Sequence, residues 1–459
     1  MTAAPGTVCV MDNEILIVGA GPTGLTLAVD LARRGVDHRI VDRDTEFAGS
    51  RGKGIQPRTL EVFADLGVLD AAQKHGGPYP PMRGYQDGQV AWERVMAPTV
   101  DARPDVPYPN PLMLPQWRTA EILRDKLTEL GGRVEAGVEF QGFTQDSDGV
   151  TAMLDGQPVR ARYLVGADGG RSVVRKATGV EFIGETFEQH RIQIADVRVT
   201  GLDRDHWHIW TNAEGPVLAL CPMAGTDTFQ LTTTRYDSVD LPGLVREIAG
   251  FTVTDVGWSS QWRANVRMVD RYRIGRVFLA GDAAHVHTPA GGQGLNTGVQ
   301  DAYNLGWKLA SGSEELLDSY ESERLPIAAD VLGISNKLFT RGIDRRDDAM
   351  DRSDPVLRQL GLHYRDSKLS VDTRSSPGSL RAGDRAPDGL AGSRRIHEAL
   401  RGPQFTVLTF GAASYPGGVV VTDAPAYDIE DAYVVVRPDG YIGMIATEAA
   451  DVRQYLGRW

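Results

Sequence analysis

Residues 14–24 of the chain read EILIVGAGPTG, a short apolar run that leads directly into a glycine-rich turn. Apolar residues then recur at helical spacing as far as Arg34, and Gly35 supplies a C-terminal stop. A second extended run, HRIV, ends at Asp42. The order of strand, turn, helix and strand predicts a βαβ unit in an α/β protein.

The turn has the glycine spacing of a dinucleotide-binding loop. Gly19 permits the tight turn, Gly21 lets the backbone approach a pyrophosphate, and Gly24 lets the helix pack on the strand. The N-terminus of the helix would then face the phosphates. Asp42 follows Gly24 by 18 residues, near the position where an acid binds the adenosine ribose. The pattern predicts a dinucleotide but does not separate FAD from NAD.

Two later segments repeat the order of strand followed by a Gly/Asp turn. The segment YLVGADGGRS at 163–172 contains Asp168, and RVFLAGDAAH at 276–285 contains Asp282. A carboxylate at such a turn can accept hydrogen bonds from a polyol such as a ribityl chain. The following segment at 289–298, PAGGQGLNTG, contains four glycines, so its backbone amides can approach a flat ligand. The helix after it would favour a reduced, anionic ring through its dipole.

These three segments, in this order and at these separations, resemble the single-component FAD-dependent aromatic hydroxylases of the para-hydroxybenzoate hydroxylase type. The resemblance is strongest to the branch that contains phenol hydroxylases and aromatic polyketide hydroxylases. Residues 50–61 (SRGKGIQPRTLE), 115–121 (PQWRTAE) and 320–326 (YESERLP) resemble further family segments. The resemblance therefore covers about residues 14–335.

The resemblance implies a set of site residues. FAD would be bound by Gly19, Gly21, Pro22, Thr23, Gly24, Asp42, Arg43, Arg51, Gln116, Asp168, Gly169, Gly281, Asp282, Pro289, Gly294, Leu295 and Asn296. Catalysis would rest on the backbone and positioning of the flavin loop, at Pro289, Gly291, Gly294, Leu295 and Asn296, with no protein nucleophile. We expect no metal, because the pairs His206/His208 and His285/His287 have no third ligand nearby in the sequence.

The resemblance also implies the architecture. We expect a Rossmann-type FAD-binding domain with an inserted β-sheet substrate domain and an abbreviated thioredoxin-like C-terminal domain without cysteines. The expected division is a leader at 1–12, a discontinuous FAD-binding domain with long C-terminal helices at 13–75, 115–180 and 269–375, a substrate-binding sheet domain at 76–114 and 181–268, and the C-terminal domain at 376–459.

The implied activity is that of a monooxygenase. NADPH or NADH would act as a transient reductant of FAD, dioxygen would add at flavin carbon 4a, and the resulting hydroperoxide would hydroxylate an aromatic substrate. The branch favours a polycyclic aromatic polyketide of secondary metabolism and antibiotic biosynthesis. A simple phenol, or an aromatic antibiotic that is inactivated as a means of resistance, remains an alternative.

Two further alternatives follow from the same fold. A flavin halogenase is disfavoured because Trp207-His208-Ile209-Trp210 does not match the WxWxIP signature of that class. A flavoprotein that sequesters an aromatic ligand without turning it over stays open, because a fold alone does not establish catalysis.

Composition excludes several other classes. The net charge of -12 and the absence of a Lys/Arg block argue against a nucleic-acid partner. The two cysteines, Cys9 and Cys221, are too few for a disulfide framework and fit a cytoplasmic protein. No apolar run approaches the roughly eighteen residues of a membrane span. The family resemblance is compatible with a homodimer.

Overall fold

The computed structural model describes residues 13–46, 49, 52–213, 215–236, 240–288, 291–343 and 350–459. The leader expected at residues 1–12 lies outside the described residues, as do two of the expected site residues, Arg51 and Pro289.

The strands are β1 (Asn13–Val18), β2 (His38–Asp42), β3 (Gly54–Ile55), β4 (Met82–Gln86), β5 (Gln89–Arg94), β6 (Leu112–Met113), β7 (Val134–Ala136), β8 (Phe140–Gln145), β9 (Val150–Leu154), β10 (Gln157–Gly166), β11 (Phe182–Thr200), β12 (Trp207–Asn212), β13 (Gly215–Pro222), β14 (Phe229–Thr233), β15 (Thr252–Val269), β16 (Arg273–Ile274), β17 (Val277–Leu279), β18 (His285–Val286), β19 (Val371–Asp372), β20 (Leu390–Ala391), β21 (Arg394–Arg395), β22 (Thr406–Phe410), β23 (Val419–Val420), β24 (Ala432–Val436) and β25 (Ile442–Ala446). The α-helices are α1 (Pro22–Arg33), α2 (Pro57–Leu66), α3 (Leu69–His75), α4 (Gln116–Glu129), α5 (Val173–Thr178), α6 (Leu241–Ala249), α7 (Gly294–Ser311), α8 (Glu314–Ile343), α9 (Ile396–Ala399) and α10 (Ala449–Leu456).

The first sheet is built around β1. Its strands follow the order β16-β17-β10-β1-β2-β7, and β9 and β8 extend it from β10. Strand β1 pairs in parallel with β2 and with β10, and α1 connects β1 to β2. This is the βαβ unit that the sequence predicts. Its apolar residues, such as Leu16, Ile17 and Leu25, are fully buried because helices cover the sheet.

The second sheet has the order β18-β15-β11-β14-β13-β12-β4-β5. Strands β11 and β15, of 19 and 18 residues, pair antiparallel along almost their whole length. Side chains alternate along β14: Phe229 and Leu231 pack into the apolar cluster that includes α6, whereas Gln230 and Thr232 line a large cleft on the other face. The residues of β18 immediately precede the glycine-rich loop, so this sheet continues directly into that loop.

A third sheet, of order β19-β25-β24-β22-β23, lies in the C-terminal part of the chain. Strands β24 and β25 form an antiparallel hairpin in which Val436 pairs with Ile442 across the turn at residues 438–440. Its core contains Leu408, Val434 and Ile445, all fully buried.

A buried ionic cluster joins this third sheet to the helices of the first domain. The carboxylate of Glu323 on α8 accepts hydrogen bonds from Lys308 on α7 at 2.7 Å and from Arg437 at 2.7 and 2.9 Å. Arg437 also donates to Asp439 at 2.6 Å. Burial alone would raise the pKa of Glu323, but the charges of Arg437 and Lys308 hold it far below its ordinary value.

We propose that the chain divides into domains along the boundaries expected from the sequence. The third sheet begins slightly earlier than residue 376, because Val371–Asp372 already pairs with β25. Among the described residues, no helix is both long and apolar enough to cross a membrane.

Replacing Glu323 by glutamine tests the buried cluster. The variant leaves Lys308 and Arg437 without their shared carboxylate, and breaking a buried ion pair in this way costs about 3–5 kcal/mol. We expect a large drop in the thermal midpoint and in urea stability. Glu315→Gln, which removes the partly exposed partner of Arg458, should cost less than about 1 kcal/mol. Equal effects of the two substitutions would contradict this account.

Candidate active site

The glycine turn after β1 packs directly on the turn after β10. Gly19 has a φ of +108°, and a Cβ at this position would collide with the carbonyl of Ala167. A Cβ at Gly24 would overlap the carbonyl oxygen of Gly19. Both glycines are therefore required by close backbone packing, as the sequence predicts, and Gly24 is used for packing instead of lining the cleft.

Thr23 connects this turn to the two later motifs. A Cβ at Gly281, where φ is +60°, would lie 2.5 Å from Oγ1 of Thr23, and a Cβ at Gly298 on α7 would also overlap that oxygen. The side chain of Thr23 therefore occupies the space left by two glycines that are more than 250 residues away in sequence. Three sequence motifs meet at this one hydroxyl group.

A buried charge network on the side away from the cleft fixes the turn at Gly281 and Asp282. Asp301 on α7 accepts hydrogen bonds from the backbone N–H of Gly281 at 3.0 Å, from Nε2 of His285 at 2.7 Å and from Nε of Arg324 at 2.7 Å. Burial raises the pKa of Asp301, but Arg324 and His285 outweigh it, so the pKa lies below its ordinary value. Asp301 and Arg324 were not predicted as site residues, and they orient Asp282, which is exposed in the cleft.

The two other predicted acids also shape their own turns. Asp42 accepts from the N–H of Ala20 at 2.6 Å, which ties the end of β2 to the glycine turn. Asp168 accepts from the N–H of Val173 at 2.6 Å and from the N–H of Val174 at 3.1 Å, at the start of α5. Both carboxylates line the cleft, so each orders its turn and retains acceptor capacity for a ligand.

The glycine-rich loop is tied to the segment at residues 52–56. Asn296 is fully buried and donates from Nδ2 to the carbonyl oxygens of Gly54 and Gly292, both at 2.8 Å. Its Oδ1 accepts from the N–H of Gln56 at 2.8 Å. Asn296 thus holds the loop in place and does not itself line the cleft.

The same segment is held on its other side by Gln116. The side-chain oxygen Oε1 of Gln116 accepts a hydrogen bond from the N–H of Gly52 at 2.9 Å. The backbone N–H of Gln116 donates to the carbonyl oxygen of Gly52, also at 2.9 Å. Two of the predicted residues, Gln116 and Asn296, therefore act together on one short stretch of backbone.

One continuous cleft brings these motifs together. Its volume is about 1670 Å³, and it extends from the turn after β1 to the face of the second sheet. Of the predicted residues, the cleft is lined by Gly19, Gly21, Pro22, Thr23, Asp42, Arg43, Gln116, Asp168, Gly169, Asp282, Gly291, Gly294 and Leu295, whereas Gly24, Gly281 and Asn296 lie behind its wall.

Comparisons with known proteins agree with this geometry. A family model described as the FAD binding domain matches residues 12–335, well over half of the chain. The chain belongs to this family of FAD-dependent aromatic monooxygenases. The family, the FAD dependence and the fold class predicted from the sequence are thereby confirmed.

Relatives match the monooxygenase over nearly its whole length. A flavin-dependent monooxygenase from Mycobacteroides abscessus is 46% identical, with 97% of this chain and 99% of that protein covered. A 6-methylpretetramide 4-monooxygenase from Streptomyces rimosus is 34% identical, with 94% and 90% covered. A rifampicin monooxygenase from Rhodococcus hoagii is 33% identical, with 97% and 98% covered.

The fold is also similar to a solved structure with bound ligands. The ternary complex of aklavinone-11 hydroxylase with FAD and aklavinone has 26% sequence identity and a TM-score of 0.81. The similarity covers 98% of this chain and 99% of that chain.

The cleft of the monooxygenase fits FAD. Single-ligand pockets usually measure roughly 300–1,000 Å³, so a cleft of about 1670 Å³ can hold FAD together with a second molecule. Gly21 lines the cleft at the N-terminus of α1 and suits the pyrophosphate half, and the left-handed glycines Gly291 (φ +91°) and Gly292 (φ +63°) suit a flat ring.

Sequence reasoning missed three residues of the cleft wall: Lys53, Trp207 and His287. Lys53 lies inside a quoted family segment, but no motif marks its side chain. Trp207 is one of several aromatic residues of this region, and no sequence pattern separates it from Trp210, which is buried in the sheet core. His287 was considered only as half of an HxH pair.

His287 packs against the start of α7. A Cβ at Gly294 would lie 3.1 Å from its ring, and its Nε2 is buried without a partner among the described residues. Burial and the neighbouring His285 lower the pKa of His287 to about 4. The positive end of the α7 helix dipole also lowers the pKa of His287. The ring is therefore neutral at neutral pH.

Gly24→Ala tests the close packing at the dinucleotide turn. The added methyl group must displace the Gly19 carbonyl, so we expect FAD affinity to fall at least about tenfold, because a turn displaced by a fraction of an ångström loses its phosphate contacts. FAD retention and flavin fluorescence measure the effect. Gly333→Ala, on α8 with open space around the Cβ, is the matched control and should retain FAD. Full retention in Gly24→Ala would contradict the geometry.

The pH dependence of stability tests His287. Its folded pKa lies below the ordinary unfolded value of about 6.5, so its contribution is complete above that pH and is lost as the pH falls towards 4. We expect the thermal midpoint of His287→Gln to fall less between pH 6.5 and 4 than that of the wild type. The control His363→Gln alters an exposed ring and should follow the wild type. If the thermal midpoints of all three proteins fell in parallel with pH, the lowered pKa of His287 would be refuted.

Proposed function

We propose that this monooxygenase hydroxylates a polycyclic aromatic polyketide, with NADPH or NADH as reductant and dioxygen as co-substrate. The observation that carries the proposal is the size and position of the cleft. Beyond the part that suits FAD, it continues between the glycine-rich loop and the inner face of the second sheet. This space is broad enough for a flat, fused ring system.

The lining of this second part is suited to such a ligand. Apolar side chains come from the strands β11 and β13 and from α8, among them Ile192, Ile194, Leu218 and Leu338. Polar residues stand between them, among them Gln230 and Thr232 on β14 and Gln261 and Asn265 on β15. A cavity that is mainly apolar with a few fixed polar groups binds and orients an aromatic ligand and excludes water from it.

The residues of the loop and of α7 would act on FAD. When bound, FAD supplies the activation of dioxygen and the transfer of one oxygen atom, chemistry for which the protein provides no nucleophile. The backbone around Gly291 and Gly294, supported by Asn296, would lie along the ring. The N-terminus of α7 would stabilise negative charge there. Asp282, held by the Asp301 network, would accept hydrogen bonds from the ribityl hydroxyls.

The reductant would dock at the cleft mouth. Only the turn at 19–24 has the dinucleotide glycine spacing, so a nicotinamide cofactor would bind transiently and not in a second such loop. The exposed Arg171 and the partly exposed Arg191 line the cleft and suit the phosphates of the nicotinamide cofactor. NADPH is favoured over NADH by the family resemblance.

The names of the relatives support the polyketide class and one alternative. Aklavinone and 6-methylpretetramide, which appear in the names of two similar proteins, are polycyclic aromatic compounds of this type. A third similar protein is named for rifampicin, so an aromatic antibiotic is the second candidate substrate. A simple phenol would leave most of the cavity unfilled.

Substrate-dependent oxidation of NADPH tests the proposal. The FAD-loaded protein is mixed with NADPH and a panel of anthraquinones, tetracyclic polyketides, rifampicin and phenol, and product mass and peroxide are followed together. We expect at least one polycyclic polyketide to accelerate oxidation and to gain one oxygen atom. If only rifampicin or only phenol gained oxygen, the proposed polyketide substrate class would be wrong, and the class of that compound would take its place. Binding without any accelerated oxidation would favour a sequestering flavoprotein.

A further inference from the structure

Charge is distributed unevenly along the cleft. Its acidic lining residues, Asp42, Asp44, Glu139, Asp168 and Asp282, all belong to the FAD side. Among the described residues, the second sheet contributes no Asp or Glu to the lining, whereas it contributes Arg191, Arg263 and Arg267. Arg191 and Arg263 pair with Glu188 near the rim. The inner part of the substrate side therefore lacks a lining carboxylate from this sheet.

Lys53 places a cation in this inner part. Its ammonium group donates to Oε1 of Gln230 at 2.7 Å and lies 4.0 Å from the ring centroid of Trp207. No carboxylate among the described residues forms an ion pair with it. The buried thiol of Cys221 is a third neighbour of the ammonium group, and burial raises the pKa of this thiol, so it stays protonated. A half-buried ammonium group whose neighbours are an amide, an indole face and a neutral thiol has no countercharge beside it, and it is stabilised further by an anion.

Neighbouring groups add hydrogen-bond donors and no acidic group. Tyr79 lines the cleft beside Lys53, since its hydroxyl occupies the space that a Cβ of Gly54 would need. Burial raises the pKa of Tyr79, so its hydroxyl stays protonated. Nε1 of Trp207 is buried without a partner among the described residues. Arg352, a second cation, also lines this region.

The backbone of Lys53 is fixed relative to the flavin loop. Asn296, three residues after the loop glutamine Gln293, binds the carbonyl of Gly54, and Gln116 binds both backbone groups of Gly52. The Lys53 carbonyl accepts from the N–H of Leu114 at 2.9 Å. An anion bound by the ammonium group would therefore be held at a set position relative to that loop.

We propose that Lys53, with Gln230 and Trp207 beside it, is the specificity-determining residue that binds an ionised phenol or enol oxygen of the substrate. This inference rests on the proposed function and refines it. Lys53 would select polyketides with an acidic hydroxyl on the ring system over their O-alkylated analogues. Ionisation also makes the ring more electron-rich, which is the form that an electrophilic oxygen atom attacks.

The test compares two anthraquinones that differ only in whether their two hydroxyl groups are methylated. Alizarin is a dihydroxyanthraquinone with an acidic hydroxyl, and alizarin dimethyl ether lacks it. Dissociation constants are measured with the FAD-loaded protein by fluorescence, and the absorbance of bound alizarin reports its ionisation. The wild type should bind alizarin more tightly than the ether and shift its spectrum to that of the anion.

Lys53→Met removes the charge and keeps most of the side-chain length. It should weaken alizarin binding about tenfold to hundredfold, the range for loss of a charged hydrogen bond, and leave the binding of the ether nearly unchanged. Gln230→Glu places a permanent carboxylate beside the ammonium group and should weaken alizarin binding as well. Lys53→Arg should restore the preference for alizarin. Lys74→Met, at an exposed lysine on α3, is the matched control.

Each contrary result has a definite meaning. Equal losses for both probes in Lys53→Met, together with loss of FAD, would show a purely structural role and overturn the proposal. Unchanged alizarin binding in that variant, or no binding of either probe by the wild type, would also overturn it. If alizarin binds through Lys53 but no substrate gains oxygen, the proposed function fails and this anion site stands. If oxygen is transferred but Lys53→Met retains the preference for alizarin, only this inference fails.

Discussion

Close backbone contact around Thr23 is the constraint on which the rest of the structure depends. The turn after β1, the turn at Gly281 and the start of α7 come so close that Gly24, Gly281 and Gly298 leave no room for a Cβ. Each segment carries residues that we propose bind one part of FAD, so this contact sets the distance between those residues. Since a dinucleotide has fixed covalent dimensions, the contact also decides whether FAD fits.

Buried charges hold the elements around this contact in register. Asp301 and Arg324 link α7, α8 and the turn at Gly281, and Glu323 with Arg437 links α8 to the third sheet. Such groups are costly to bury and are tolerated because each is paired with an opposite charge and forms several hydrogen bonds. The third sheet therefore stabilises the helices that carry the flavin loop, although none of its residues is among the described residues that line the cleft.

The sequence predicts local features well and long-range contacts poorly. The βαβ unit and the roles of Gly19 and Gly24 follow from glycine spacing, because their constraints are local. Asp42 and Asp168 illustrate the limit: the pattern identifies acids at the cleft, but not the backbone N–H groups that they bind, which belong to Ala20 for Asp42 and to Val173 and Val174 for Asp168. Lys53 could not be identified at all, because its partner Gln230 is 177 residues away.

A crystal structure of the monooxygenase with FAD and alizarin would test the account most directly. We expect the ADP half of FAD along Gly19–Gly24, the flavin ring along Gly291–Leu295, and alizarin between this loop and strands β11 and β14, with an oxygen atom within hydrogen-bond distance of Nζ of Lys53. A flavin ring located away from the glycine loop, or alizarin bound outside the space between loop and sheet, would contradict it.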